Sequence, residues 1–212
     1  MRAFGFSMAG CEGAILAGAQ ASLDAVPGPA RYLEIGAARG DTFAAVCEAL
    51  VAENRLGDAI ALDVPEDFDK ANFRIGSCLD LPAFLANVAL FDGRVRLIRA
   101  VSWEWLSRDR GPFTLVLIDG CHEYDCAKLD FERVEPQVAP GGVVIFHDTA
   151  PWSQHDPSQA QPHRGMPLDV RRAVEALGLL TETRRGWRML AEAPGLPSQG
   201  GRGCMVFQKD RT

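Results

Sequence analysis

The 212-residue sequence has little of what most often carries chemistry: four histidines, six cysteines and two tyrosines. The cysteines stand at 11, 47, 78, 121, 126 and 204, with no Cys-x-x-Cys pair and no histidine at zinc-finger spacing. They read as reduced, mostly buried small hydrophobes of a cytoplasmic protein, and a disulfide-stapled miniprotein is excluded. Long apolar runs are also missing. The longest, such as Val143-Val144-Ile145-Phe146, fall far below the ~18 residues that span a bilayer. Positive charge is in deficit as well, since 22 Lys and Arg against 28 Asp and Glu leave a formal net charge of -6. Such a field repels nucleic acid and anionic membrane, so neither is expected as a partner.

What is present suffices for a core. Hydrophobic residues make up 47% of the chain, and its length suits one domain over residues 1–212. From Arg31 onward, apolar strand-like runs alternate with helical patterns. The strands are expected at 32–35, 59–62, 94–98, 113–118 and 143–146, with helical patterns at 42–53, 79–90, 103–106 and 123–138 between them. Strands separated by helices imply right-handed crossovers and a parallel sheet covered on both faces, so the fold class is α/β, doubly wound. The last third differs: a polar loop over 149–166 is followed by a helix near 168–177. Two strand-like runs at 187–191 and 204–208 have no helix between them and are expected to pair as an antiparallel hairpin at a sheet edge. Residues 1–150 carry 13 basic and 22 acidic side chains and residues 151–212 carry 9 and 6, so the negative charge is concentrated in the first part.

Open parallel sheets bind ligands at the carboxyl ends of their strands, where strand order reverses. The first strand end reads Glu34-Ile-Gly36-Ala37-Ala38-Arg-Gly40, and the bare positions 36 and 40 let a ligand lie against backbone. The second ends at Asp63, 23 positions after Gly40, where nucleoside-binding folds place a carboxylate for the ribose hydroxyls. A dinucleotide site would want a second glycine where Ala38 stands, and Glu34 and Asp41 make the turn adverse to phosphate. A nucleoside without phosphates fits better.

With these motifs the chain resembles the class I S-adenosylmethionine-dependent methyltransferases. The segments Leu117-Ile-Asp119-Gly-Cys-His122-Glu-Tyr124, Asp130 and Pro140-Gly-Gly-Val-Val-Ile-Phe-His147-Asp148 are similar to one branch of them. That branch comprises small-molecule O-methyltransferases related to macrocin O-methyltransferase and the cephalosporin hydroxylase family. The resemblance implies a Rossmann-like seven-stranded sheet, mostly parallel, whose C-terminal antiparallel hairpin supplies strands six and seven. It implies a helical cover over the cofactor from residues 1–28, while the loop over 149–166, which follows a strand end of the site, is expected to act as a lid. It also implies cofactor binding by Glu34, Gly36, Ala37, Gly40, Asp63, Val101, Ser102 and Asp119. Relatives often carry an acid before the serine to meet the adenine amine, and Val101 stands there instead, leaving backbone, Ser102 and stacking by Trp103. Trp103 reads equally as core.

By the same resemblance a divalent metal belongs at Asp119, His147 and Asp148. Hard oxygen ligands suit Mg²⁺, whereas an imidazole at 147 shifts the preference toward Mn²⁺, Fe²⁺ or Zn²⁺. His122 occupies the position of the base that takes the substrate hydroxyl proton, with Asp119 beside it as the second catalytic residue. The expected activity is methyl transfer from S-adenosylmethionine to a hydroxyl of a small-molecule acceptor, such as a sugar or polyketide of natural product biosynthesis. A homo-oligomer is left open. Two alternatives remain: a degenerate methyltransferase fold that binds without catalysis, and a nicotinamide oxidoreductase, which the missing glycine at 38 and the lack of a Tyr-x-x-x-Lys pair disfavour.

Overall fold

Strand residues of this chain alternate between two apolar environments rather than between core and solvent, as expected of a sheet buried on both faces. Tyr32, Ala59, Ala61, Leu115 and Leu117 enter one core, while Leu33, Ile60, Leu62, Val116 and Ile118 enter the other. The computed structural model describes residues 10–65, 79–91, 93–108, 110–150, 169–181, 183–194 and 202–211. The lid expected over 149–166 lies outside the described residues from 151 onward, with Trp152, His155, His163 and Arg164. Cys78 and the first nine residues of the expected cover also lie outside.

The elements in chain order are α1 (Glu12–Ala25), β1 (Ala30–Ile35), α2 (Asp41–Ala52), β2 (Leu56–Asp63), α3 (Leu81–Val88), β3 (Val95–Arg99), α4 (Ser102–Trp105) and β4 (Phe113–Ile118). They continue with α5 (Tyr124–Val134), β5 (Val138–His147), α6 (Val170–Ala176), β6 (Trp187–Ala193) and β7 (Cys204–Lys209). The sheet order is β3-β2-β1-β4-β5-β7-β6. The first five strands are mutually parallel, β7 runs antiparallel to β5, and β6 antiparallel to β7. This is the expected Rossmann-like sheet with its antiparallel end. The order reverses between β1 and β4.

α1 buries Ile15, Ala19, Ser22 and Leu23, residues three, four and one apart that share one helix face, against β5 and β7. α2 and α3 bring Phe43, Leu50 and Phe84 to the same side, and Tyr32 stacks on Phe43 with ring centroids 5.3 Å apart. On the opposite face α5 and α6 contribute Phe131, Val134, Val170 and Val174. Fully burying a side chain of this size contributes about 1.5–3 kcal/mol.

β5 begins five residues before the apolar run that marks it. Phe113 pairs with Val138 but Leu115 with Val143, so the Pro140-Gly141-Gly142 segment is accommodated as an irregularity of register. No helix among the described residues is long and apolar enough to cross a membrane.

Candidate functional site

β1 ends at Ile35 and the chain turns at Gly36, where φ is 89°. A Cβ at this position would lie 2.3 Å from the Asp119 carbonyl oxygen and 2.6 Å from the Gly120 Cα. Only glycine lets the ends of β1 and β4 approach this closely. The Asp119 N–H donates to the Ile35 carbonyl at 2.9 Å, fixing Asp119 at the point where strand order reverses. The turn continues through Ala38, whose N–H donates to Asp63 Oδ2 at 3.2 Å. Thus β1 and β2 share one junction at their carboxyl ends.

A cleft of about 180 Å³ opens over these ends. Asp63, Ser102 and Trp103 line it on the β2–β3 side, and Asp119, His122, His147 and Asp148 on the β4–β5 side. Glu34, Ala37 and Gly40 line instead an adjoining cavity of about 70 Å³ that shares Gly36, Ala38 and Asp119 with the main one. The Glu34 carboxyl accepts a hydrogen bond from the Tyr32 hydroxyl, and burial pushes its pKa well above the usual carboxylate range. Val101 is buried and absent from the lining of either cavity, whereas its neighbours Ala100 and Ser102 form the wall.

Ser102 carries its own partner into the cleft. Its hydroxyl donates to Asp130 of α5, a buried cleft-lining carboxyl that burial raises to about 7 against the opposing effect of that hydrogen bond. α4 and α5 meet through this pair.

At the end of β5 the backbone places Asp148 at φ 59°, a left-handed conformation costing a non-glycine residue about 1–3 kcal/mol. The side chain is fully buried, and neither oxygen meets hydrogen-bond geometry with the described residues. Instead it is held in ion-pair contact with His122 Nδ1, with His147 Nδ1 at 3.5 Å and with Arg202 at 3.6 Å. Burial alone would raise the Asp148 pKa, but the His147 charge, His122 and Arg202 hold it well below the usual range. Both histidines respond in kind. Burial opposes their protonation, yet Asp148 and Asp119 raise His122, and the Asp119 and Asp148 charges with bonds to Asp119 and Cys11 raise His147 further.

Asp119, His147 and Asp148, the grouping expected from the resemblance, all line the cleft, with His147 Nδ1 2.7 Å from Asp119 Oδ1 and 3.5 Å from Asp148 Oδ1. The groups whose ligand atoms converge, all within 4.8 Å of one another, are Asp119, His122 and Asp148. His147 and Asp148 both face the cleft, with His147 Nδ1 nearer to Asp119 and the Asp148 carboxylate, on its left-handed backbone, nearer to His122.

One contributor, Arg202, is absent from the sequence-based expectations, and Asp130 entered them without a role. Arg202 reaches Asp148 because β7 runs antiparallel to β5 and pairs Cys204 with His147. The antiparallel hairpin was itself the signal that the residues just before β7 return to the site. Asp130, which belongs to the family resemblance alone, lies eleven residues beyond Asp119 on the helix leaving β4, and its spacing gave it no part in the site. Arg171 pairs with Glu192 at 2.7 Å and Arg172 with Asp169 at 3.1 Å.

A family model described as a methyltransferase domain matches residues 33–149. An uncharacterized protein y4gI of Sinorhizobium fredii (strain NBRC 101917 / NGR234) is 29% identical over 122 residues, 57% of this chain. The match spans only 13% of that relative's length. Among solved structures, an O-methyltransferase from Bacillus cereus in complex with SAH has a TM-score of 0.62 at 16% identity, covering 92% of this chain and 80% of that one. The O-methyltransferase NovP has a TM-score of 0.60 at 15% identity, covering 94% and 79%. Likeness at such identities shows the fold, and the matched segment carries both the β1 glycine turn and the β4–β5 acid–histidine group. On a match over more than half of its length, the chain belongs to the methyltransferase-domain family.

Proposed function

We propose that this chain is an S-adenosylmethionine-dependent O-methyltransferase that methylates a hydroxyl group of a small molecule, with His122 as base. One observation carries the reading: a single cleft at the switch point has Asp63 on one side and Asp119, His122 and Asp148 on the other. Asp63 suits the two vicinal hydroxyls of a ribose, and Ser102 with Trp103 offers a polar and an aromatic edge to the base. Ala38 and the acids beside the turn disfavour a phosphorylated cofactor. The fold of a relative solved with SAH supports the same choice.

Bound S-adenosylmethionine supplies an electrophilic methyl group on a sulfonium centre. The chain's own residues orient the acceptor and move its proton. Asp148 takes the Nδ1 side of His122 and so fixes the ring, leaving the other ring nitrogen to accept the hydroxyl proton. His147 fixes Asp119 in turn. The pair of carboxylates fits a divalent ion, because the Asp148 oxygens are buried without hydrogen-bond geometry and lie within 4.8 Å of an Asp119 oxygen. Asp119 and Asp148 would hold Mg²⁺ or Mn²⁺, which lowers the pKa of a coordinated hydroxyl.

The test is methyl-labelled S-adenosylmethionine against a panel of sugars, polyketides and other hydroxylated small molecules, with and without EDTA. Labelled product that EDTA suppresses supports the reading. Cofactor binding with no product across the panel favours a binding protein, and product indifferent to EDTA removes the metal from the reaction.

A further inference from the structure

We propose that Cys121, Glu123 and Cys126 form a second cation site, for a thiophilic divalent ion of the Zn²⁺ class, at the start of α5. One ligand atom from each of the three lies within 4.8 Å of the other two. The grouping follows from local geometry: Cys121 lies in the loop leaving β4, Glu123 is the residue that caps α5, and Cys126 sits in the first turn. The loop therefore folds back across the opening of the helix and brings residues 121 and 126 together. Both thiols are free.

Two sulfurs and a carboxylate oxygen make three of the four corners of a tetrahedral zinc site, with the fourth left for water or a molecule in the cleft. Thiolate donors select against Mg²⁺ and Ca²⁺, so this site and the carboxylate–histidine group at Asp119, His122 and Asp148 differ in the ions they prefer. Cys126 is buried, Cys121 and Glu123 are half-buried, and Cys121 lines the cleft, which gives an ion a way in. The N-terminal end of α5 favours the negative charge of the ligands, and binding releases a proton to solvent from each thiol that ligates. A bound ion would tie the loop that carries Asp119 and His122 to α5. The arrangement is Cys-x-Glu-x-x-Cys, which a search for Cys-x-x-Cys pairs passes over.

The test uses the full chain, metal-stripped and kept reduced, titrated with Cd²⁺ and followed by thiolate-to-metal charge-transfer absorption. The expected result is one ion per chain at this site, with the band lost in both Cys121→Ser and Cys126→Ser. Asp148→Asn should retain the band, and Glu123→Gln should retain it with weaker binding. No band, a band that survives both cysteine substitutions, or one lost equally in Asp148→Asn overturns the proposal. Alkylation of the unaltered chain by iodoacetamide, read by mass spectrometry, provides a check that needs no variant. Zn²⁺ should slow labelling of Cys121, and equal labelling rates with and without Zn²⁺ contradict the site.

Discussion

His122 turns its Nδ1 onto Asp148 Oδ2, a fully buried carboxylate set at φ 59° immediately after β5. The imidazole itself is half-buried and lines the cleft. A carboxylate behind a histidine fixes the ring's orientation and leaves its second nitrogen for the substrate side, an arrangement suited to a proton acceptor. Because His122 also stands among the groups that converge with Asp119 and Asp148, its role as base must be separated from a role as ligand.

His122→Ala is expected to lower kcat by about 10²–10⁴-fold, the contribution typical of a positioned general base. Binding of S-adenosylmethionine and of Mn²⁺, followed by calorimetry, should be nearly unchanged. Loss of Mn²⁺ binding together with activity would make His122 a ligand instead.

Gly36→Ala should destabilise the fold by about 2 kcal/mol or more, since it adds a left-handed non-glycine residue and a clash with backbone. The new Cβ meets the Asp119 carbonyl at 2.3 Å, so the damage falls on the β1–β4 junction. Urea unfolding measures it. A variant as stable as the parent would show that this close approach is not needed.

Asp130 links stability to pH with a definite sign. Burial raises its folded pKa to about 7, above the usual aspartate value of 3.8, so the folded state holds the proton longer than the unfolded chain. The stability it contributes is complete below the lower value and is lost as pH rises through the upper one. Asp130→Asn removes this dependence while keeping an acceptor for Ser102. Relative to the parent, the variant should gain about 2–3 kcal/mol between pH 5 and pH 8, at about 1.4 kcal/mol per unit. Chemical denaturation at the two pH values checks it, and a constant difference contradicts the assignment.

Much of the architecture was legible because it rests on short-range signals. The apolar runs and the helical patterns between them already specified a parallel sheet, Gly36 and Asp63 were found because strand ends are where such sheets bind ligands, and Asp119 was found through the family resemblance. What was not legible depends on side-chain direction and on partners distant in sequence. His147 and Asp148 are adjacent, and only the left-handed turn at 148 and the bond from His147 to Asp119 decide which of them lies nearer to which neighbour. Glu34 belongs to the first glycine motif, yet the Tyr32 hydroxyl two residues earlier claims its carboxyl and turns it to the smaller cavity. Arg202 required the pairing of β7 with β5, a contact between residues more than fifty positions apart.

The most direct test of the account is calorimetric titration of the protein with S-adenosylmethionine, with NADH in parallel and Asp63→Ala as the variant. The account predicts saturable one-site binding of S-adenosylmethionine and no response to NADH. Removing the ribose contact should cost about 1.5–3 kcal/mol, roughly a tenfold to hundredfold loss of affinity. NADH binding without S-adenosylmethionine binding, or S-adenosylmethionine affinity indifferent to Asp63→Ala, would contradict it.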